Sequence, residues 1–190
     1  MTSPLLYLPG HVPTLIGACP IYLGIDPGVN GGIAALYGEQ AVRFTTMPDT
    51  EIGVLDWLAP YSQWPVAVSA IPTSAGSPIN PTHGSTVLAC IEEIPAAMPF
   101  SGKASMSKIY GGYRALRMAC AALGISFFTE KAAGWHRALG IPPRNKSEKT
   151  TVWKNRLKQW ADKLFPSLRS TLSTSDALLI AYYCRMKGNK

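Results

Sequence analysis

Basic residues are almost absent from the first half of this 190-residue chain, in which Arg43 is the only one before residue 101. The other 17 of the 18 lysines and arginines lie in residues 101–190, together with only four acidic residues. Such an excess of positive charge attracts polyanions, because each neutralised phosphate releases condensed counterions. The charge distribution favours a nucleic acid or an anionic lipid as the partner, with a basic surface that binds neither as the alternative.

The chain also lacks the features of membrane, secreted and zinc-binding proteins. No apolar run approaches the roughly 18 residues that a membrane-spanning helix needs, and no basic segment precedes the apolar residues 15–19. The four cysteines are scattered without a CxxC pair, which disfavours a zinc site or a disulfide framework. We expect a soluble intracellular protein with no membrane partner, from a bacterial or phage-infected cytoplasm or from an organelle.

Proline divides the chain into its predicted parts. Residues 1–20 contain four prolines around short apolar pieces, which predicts an irregular N-terminal extension to which we assign no function. Residues 21–190 are long enough for one substantial core and too short for two ordinary domains, so we expect a single domain there. Five prolines between residues 60 and 84 predict a long mobile loop, whose role the sequence does not indicate.

Apolar periodicity predicts the element order βββαβαβαα. The first three strands, separated by short polar turns, form an antiparallel meander. The fold class that follows is α/β, a central mixed sheet flanked by helices. The predicted strands are 21–25, 33–37, 41–47, 87–94 and 125–129, and the predicted helices are 51–58, 105–123 (ending at Gly124), one with Ser147 as N-cap, and 173–186.

Three acids interrupt apolar elements. Asp26 ends the first strand, Glu92 stands near the end of the fourth, and Asp176 lies at the start of the last helix. A carboxylate in such a position is expensive to desolvate unless it has a partner, and hard cations such as Mg²⁺ take carboxylate oxygens as ligands. Each acid has an ordinary alternative, since Asp26 suits a turn and Asp176 a helix N-cap.

The motifs around these acids resemble those of the RuvC family of Holliday-junction resolvases. They are LGIDPG over 23–28, CIEE over 90–93 and SDALLIA over 175–181, in an order and spacing that agree over about residues 21–186. Further detail is closest to the phage and chloroplast branch: the linker 98–107 enters a helix with Gly111 and Gly112, and WHRALG over 135–140 precedes a basic helix.

The resemblance implies a ribonuclease H-like fold with a five-stranded sheet. It also implies a homodimer, with the helix over 105–123 as the expected contact, that nicks four-way DNA junctions symmetrically. The cofactor would be Mg²⁺ or Mn²⁺, two ions per site and roughly 4 Å apart, held by Asp26, Glu92 and Asp176 as catalytic residues. The sequence preference of cleavage cannot be deduced from one chain.

The chain departs from the family at the fourth acid, which is expected one helical turn before Asp176. Ser173 stands there and supplies no negative charge. Three explanations are open: Ser173 acts through a metal-bound water, Glu93 or Asp162 replaces the missing acid, or the protein binds junctions without cutting them efficiently. Strand alternation disfavours Glu93, since only one of two adjacent residues faces the site. We rank Ser173 first and include it among the catalytic candidates.

Basic residues of the second half are the candidates for DNA binding. Arg144, Lys146 and Lys149 cluster at the entrance of the basic helix, and Arg156 continues one flank of it. Phosphate contacts of this kind position a protein on DNA without reading its sequence. The full set of predicted DNA-binding residues is Arg144, Lys146, Lys149, Arg156, Lys103 and Lys108.

Two other functions compete with the nuclease. An actin-like or sugar-kinase ATPase also begins with a strand, an Asp and a Gly-rich turn, but needs two lobes and a second phosphate loop that 190 residues do not provide. A DNA-binding architectural protein that kept the nuclease fold, with weak or no catalysis, stays open because the fourth acid is absent. Cutting of a four-way junction distinguishes it from the nuclease.

Overall fold

The computed structural model describes residues 6–7, 19–38, 41–63, 86–95 and 103–189. Most of the loop predicted over 60–84, and residues 98–102 of the predicted linker, lie outside these ranges. Within the described ranges, no helix combines the length and the apolar composition that crossing a membrane requires.

The strands form one mixed sheet in the order β1-β4-β3-β2-β5-β6. The antiparallel pairs β2/β3 and β3/β4 make the predicted meander, while β5 pairs parallel to β2 and β6 parallel to β5. This confirms the expected α/β fold with a central mixed sheet. The bounds are β1 Leu6–Tyr7, β2 Ile21–Asp26, β3 Gly32–Tyr37, β4 Ala41–Thr46, β5 Val87–Glu92 and β6 Ser126–Glu130.

Strand β1 is a two-residue addition to the five predicted strands. Leu6 and Tyr7 pair parallel to Ala41 and Val42 at the start of β4. The segment predicted to be an irregular extension therefore contributes one short edge strand to the sheet. Short strands at a sheet edge give few cues in a sequence, because two residues show no alternation.

In the described ranges, five helices cover the two faces of the sheet. The helix predicted over 51–58 is confirmed, and the one predicted over 105–123 begins two residues earlier; the seven-residue α3 was not predicted. The bounds are α1 Glu51–Leu58, followed by a 3₁₀ turn at Ala59–Tyr61, α2 Lys103–Ala122, α3 Ala132–Ala138, α4 Thr150–Leu164 and α5 Ser175–Gly188.

The prediction that Ser147 caps α4 was wrong. The helix begins at Thr150, its N-cap is Lys149, and the N-cap side chain makes no capping hydrogen bond. The Ser147 hydroxyl instead donates to Asn145 Oδ1 at 3.2 Å, within the turn that precedes the helix. The hydroxyl therefore bonds within the turn instead of capping the helix, as the hydroxyls of short polar side chains commonly do in turns.

Alternation along β2 separates two hydrophobic cores. Leu23 and Ile25 face α1 and α2, whereas Tyr22 faces the core formed with α3, α4 and α5. Gly24 lies on this second face, where a Cβ would stand 2.1 Å from Ala181 N and 2.2 Å from Ala177 O. Because glycine has no Cβ, α5 packs directly on the backbone of β2, and the helix is thereby held close to the end of that strand.

Candidate functional site

Asp26 and Glu92 stand side by side at the ends of two parallel strands. The last paired residues of β2 and β5 are Ile25 and Ile91, and the two acids follow them immediately. Each acid is two positions from a residue that faces the α5 side, Gly24 in β2 and Cys90 in β5, so both lie on that face. The carboxyl edge of a sheet is where open α/β folds generally place their binding sites.

The turn after β2 is built around the Asp26 carboxylate. The Gly28 N–H donates to Asp26 Oδ1 at 3.0 Å. At Gly31 a Cβ would stand 2.2 Å from Asp26 O and 2.8 Å from its carboxyl carbon, so any side chain there would collide with the acid. The glycines of the DPGVNGG segment therefore hold Asp26 in place and make room for it.

Asp176 reaches the same edge from the first turn of α5. It is the second residue of the helix and is buried, while Thr174 occupies the N-cap position, so Asp176 is not the cap. The Ser175 hydroxyl donates to Asp176 Oδ1 at 3.3 Å. An anion is stabilised at this end of a helix by the exposed N–H groups and the helix dipole.

A lysine that the sequence did not single out enters the cluster from α4. Lys154 Nζ lies 2.5 Å from Asp176 Oδ2 and 4.0 Å from Asp26 Oδ2. The buried residues Trp153 and Leu157 determine which face of α4 packs inwards. Lys154 lies beside Trp153 and three residues before Leu157, so it stands at the edge of that face. In the sequence, the place of Lys154 next to these apolar residues was the available sign that it could reach the interior. Only the packing of α4 on α5 shows which acids it contacts.

Trp135 contacts the third acid. Its indole Nε1 donates to Glu92 Oε2 at 2.9 Å, and the indole is almost fully buried in α3. In the sequence, Trp135 stands out only as part of the motif over 135–140, and this contact with Glu92 was not predicted. A buried indole N–H needs an acceptor, and here a site carboxylate provides it.

Burial and mutual repulsion raise the pKa values of two of these acids. Burial is the main cause for Asp26, whose pKa is raised further by Asp176 and lowered by Lys154. Burial also raises the pKa of Glu92 to about 8, and the charge of Asp26 adds to the rise, while the Trp135 hydrogen bond opposes it. When all three acids are ionised, Lys154 offsets only one of their three charges.

This excess of buried negative charge fits a hard divalent cation. Asp26, Glu92 and Asp176 offer carboxylate oxygens, the donors that Mg²⁺ and Mn²⁺ take. Among the described residues, no three acidic, histidine or cysteine side chains are already arranged to coordinate an ion, and Lys154 contacts two of the carboxylates instead. Metal binding would thus require local adjustment of these side chains.

The position of the fourth acid is not filled by the predicted substitutes. Ser173 lies in the turn before α5, which begins at Ser175 rather than at 173, and among the described residues its hydroxyl has no hydrogen bond to the cluster. Asp162 is bound to Lys158 at 2.6 Å and to Ser170 at 2.5 Å, so it does not join the site. The contact with Lys158 has the i,i+4 spacing of a helix, whereas the contact with Ser170 depends on how the chain folds back after α4.

Two further acids lie near Glu92 in the sheet. Alternation turns Glu93 to the opposite face from Glu92, and its backbone N–H donates to Glu130 O. Glu130 pairs with Glu92 in the register of β5 and β6, but its carboxylate accepts from Tyr183 at 2.6 Å. The described structure thus supplies three acids and one lysine to the cluster.

The predicted DNA-binding residues fall into two groups. Arg144, Lys146 and Lys149 are all exposed, but Arg144 also bonds to Glu148 O and to Thr150 Oγ1 at the start of α4. Arg156 is half-buried over the Trp153 ring, and it pairs with Glu148. The side chains of Lys103 and Lys108 in α2 lie outside the described part of the structure.

His136 packs between two tryptophans beside the cluster. Its ring centroid is 3.9 Å from Trp135 and 5.1 Å from Trp153. Burial lowers its pKa to about 4, so it is neutral at physiological pH, and its Nε2 is buried without a hydrogen-bond partner among the described residues. Its packing between the two indole rings gives this histidine a structural role.

No protein-family model matches the sequence, and no curated protein matches it. Among solved structures, the chain is similar to "T. thermophilus RuvC in complex with Holliday junction substrate", with 15% identity, a TM-score of 0.48, and coverage of 90% of this chain and 95% of that one. It is also similar to "Thermus thermophilus RuvC structure", with 16% identity, a TM-score of 0.48, and coverage of 88% and 96%.

Proposed function

We propose that the protein is a metal-dependent endonuclease that cuts branched DNA, with the four-way junction as its principal substrate. The observation that carries the proposal is the meeting of Asp26, Glu92 and Asp176 at one edge of the sheet, from three separate parts of the chain. The motif order shared with the RuvC family adds support. The exposed Lys146 and Lys149 supply a surface for phosphates at the start of α4.

The residues of the cluster have separable roles in this proposal. The carboxylate cluster of Asp26, Glu92 and Asp176 would take up Mg²⁺ or Mn²⁺, which when bound activates water and stabilises the leaving oxygen. Trp135 keeps the Glu92 carboxylate directed to the site, and Gly28 does the same for Asp26. Lys154 supplies positive charge to the acids, with its ammonium bonded to Asp176.

A homodimer is part of the proposal, because symmetric nicks require two sites in a fixed relation. We place its contact on α2, where Met118 is 68% exposed at the rim of a cavity of about 470 Å³ between α1 and α2. Light scattering on the purified protein should give twice the chain mass of 20.4 kDa. A monomeric mass would remove the dimer from the proposal.

Cleavage of a synthetic four-way junction tests the activity. With Mg²⁺ or Mn²⁺, the protein should nick two symmetric positions and leave linear duplex largely intact. Asp26→Asn should abolish nicking and preserve junction binding, because it removes a metal ligand and leaves the exposed lysines. Asp162→Asn is the matched control, since Asp162 pairs with Lys158 away from the cluster. Unchanged nicking by Asp26→Asn would refute the assigned site.

The architectural alternative is favoured by one specific pair of features. Ser173 supplies no fourth charge, and Lys154 occupies space beside two of the acids. If the unmodified protein binds junctions tightly but does not cut them in either metal, the protein is a DNA-binding member of the fold. Binding without cutting would then leave the carboxylate cluster as a structural or metal-sensing feature.

A further inference from the structure

The ammonium of Lys154 is surrounded by the oxygens that a metal ion would use. It bonds to Asp176 Oδ2 at 2.5 Å and lies 4.0 Å from Asp26 Oδ2, and both carboxylates are far less exposed than the lysine itself. We propose that Lys154 is a permanent cation of the site, taking the place of a second metal ion, so that the cluster binds one divalent ion rather than two. The inference rests on the metal site of the proposed function.

The hydrogen bonds show which carboxylate oxygens are least engaged by other groups. Both oxygens of Asp176 are already bonded, Oδ1 to Ser175 and Oδ2 to Lys154. Asp26 uses Oδ1 for Gly28, and Glu92 uses Oε2 for Trp135. Asp26 Oδ2 and Glu92 Oε1 are therefore the oxygens without a hydrogen bond among the described residues. They belong to the two acids that end neighbouring strands, so Asp26 and Glu92 hold the ion and Asp176 holds Lys154.

The charges of the cluster lead to the same number of ions. Carboxylates must be deprotonated to bind a metal ion, and in that state the three acids and one ammonium carry two net negative charges, which a single divalent cation neutralises. A second divalent ion would leave the buried group with two net positive charges and no fourth acid to balance them, since Ser173 is neutral. Uncompensated buried charge is strongly unfavourable. Lys154 and the absence of a fourth acid are thus complementary features of one site.

Counting bound Mn²⁺ on the protein without DNA, by calorimetry and by the spin-resonance signal of free Mn²⁺, tests the inference. The unmodified chain should bind one ion. Lys154→Met should bind Mn²⁺ roughly tenfold more tightly or take a second ion, because a repelling charge at close range is removed. Two ions on the unmodified chain, or no gain in Lys154→Met, would overturn the proposal.

A double variant tests whether Asp176 is itself a metal ligand or is only the ion-pair partner of Lys154. Lys154→Met with Asp176→Asn removes the ion pair without changing the net charge, and it should still bind one Mn²⁺ with an affinity close to that of the unmodified chain. Asp26→Asn should lose that binding. If the double variant loses as much affinity as Asp26→Asn, then Asp176 is a ligand and the assignment is wrong. This variant also retains charge balance, which guards against loss of folding.

The control pair lies on the same helix. Lys158 and Asp162 form an ion pair at 2.6 Å in which the lysine is as exposed as Lys154, and Lys158→Met with Asp162→Asn should leave Mn²⁺ binding unchanged. These measurements do not involve DNA. The one-ion site can therefore stand if junction cleavage is never observed, and it can fail while the protein cuts junctions with two ions.

Discussion

The indole of Trp135 donates a 2.9 Å hydrogen bond to the Glu92 carboxylate, joining a seven-residue helix to the end of a strand 43 positions earlier in the chain. The bond fixes one oxygen of Glu92 and opposes the rise of its pKa. Trp135 therefore acts on the site by positioning a ligand and by favouring its charged form. Second-sphere hydrogen bonds of this kind commonly tune metal affinity.

Trp135→Phe should weaken Mn²⁺ binding by roughly tenfold, the lower end of what such partners contribute. Without the hydrogen bond the pKa of Glu92 rises above about 8, so the pH at which half of the protein binds Mn²⁺ should move upwards. Calorimetric titrations at several pH values measure both effects. Trp160→Phe in α4 is the control, and an equal loss in that variant would point to general destabilisation rather than to Glu92.

The metal-free protein should lose stability as pH rises between about 4.5 and about 8. Burial raises the pKa of Glu92, so the folded chain keeps a proton that the unfolded chain releases over this range. Glu92→Gln removes this dependence and should raise the free energy of unfolding by roughly 2 kcal/mol at pH 8.

Urea denaturation at pH 5 and pH 8, without metal, measures the difference. Mn²⁺ should restore stability at pH 8 in the unmodified chain but much less in Glu92→Gln, because the variant has lost a charged ligand. An equal loss of stability with pH in both chains would assign the dependence to another group, and Asp26, whose pKa is also raised, is the first to examine.

Arg156→Ala should destabilise the fold more than it weakens DNA binding. The guanidinium stacks on Trp153, bonds to Pro143 O and pairs with Glu148, so truncation should lower the free energy of unfolding by about 1–2 kcal/mol. Lys149→Ala, at an exposed position, should instead leave stability within about 0.5 kcal/mol and weaken junction binding. Denaturation and salt-dependent binding assays distinguish the two; the reverse pattern would restore Arg156 as a phosphate contact.

Ser173→Asp tests whether the position before α5 is the vacant ligand site. If the residue faces the metal, an added carboxylate should tighten Mn²⁺ binding by roughly tenfold, since it supplies a charged ligand. Thr171→Asp, in the same turn, is the comparison. Unchanged binding and unchanged cutting in Ser173→Asp would exclude Ser173 from the site and with it the water-mediated role.

The strands and acids were predictable because their signals are local. Alternating and continuous apolar runs defined β2 to β6, and the acids stood out because each interrupts such a run. Lys154 and Trp135 were missed because their roles depend on how α3 and α4 pack against the sheet, which periodicity does not reveal. The start of α4 was misplaced for a similar reason, since Asn145 and Ser147 satisfy each other before the helix begins.

Gly24 has a consequence for the selection of ions. Because the backbone of α5 rests on that of β2 at this residue, the strand that carries Asp26 and the helix that carries Asp176 have little freedom to move apart. A rigid frame of carboxylates suits the small radius of Mg²⁺ and Mn²⁺, whereas Ca²⁺ requires longer bonds and more ligands. Discrimination against calcium would then originate in a residue that has no side chain.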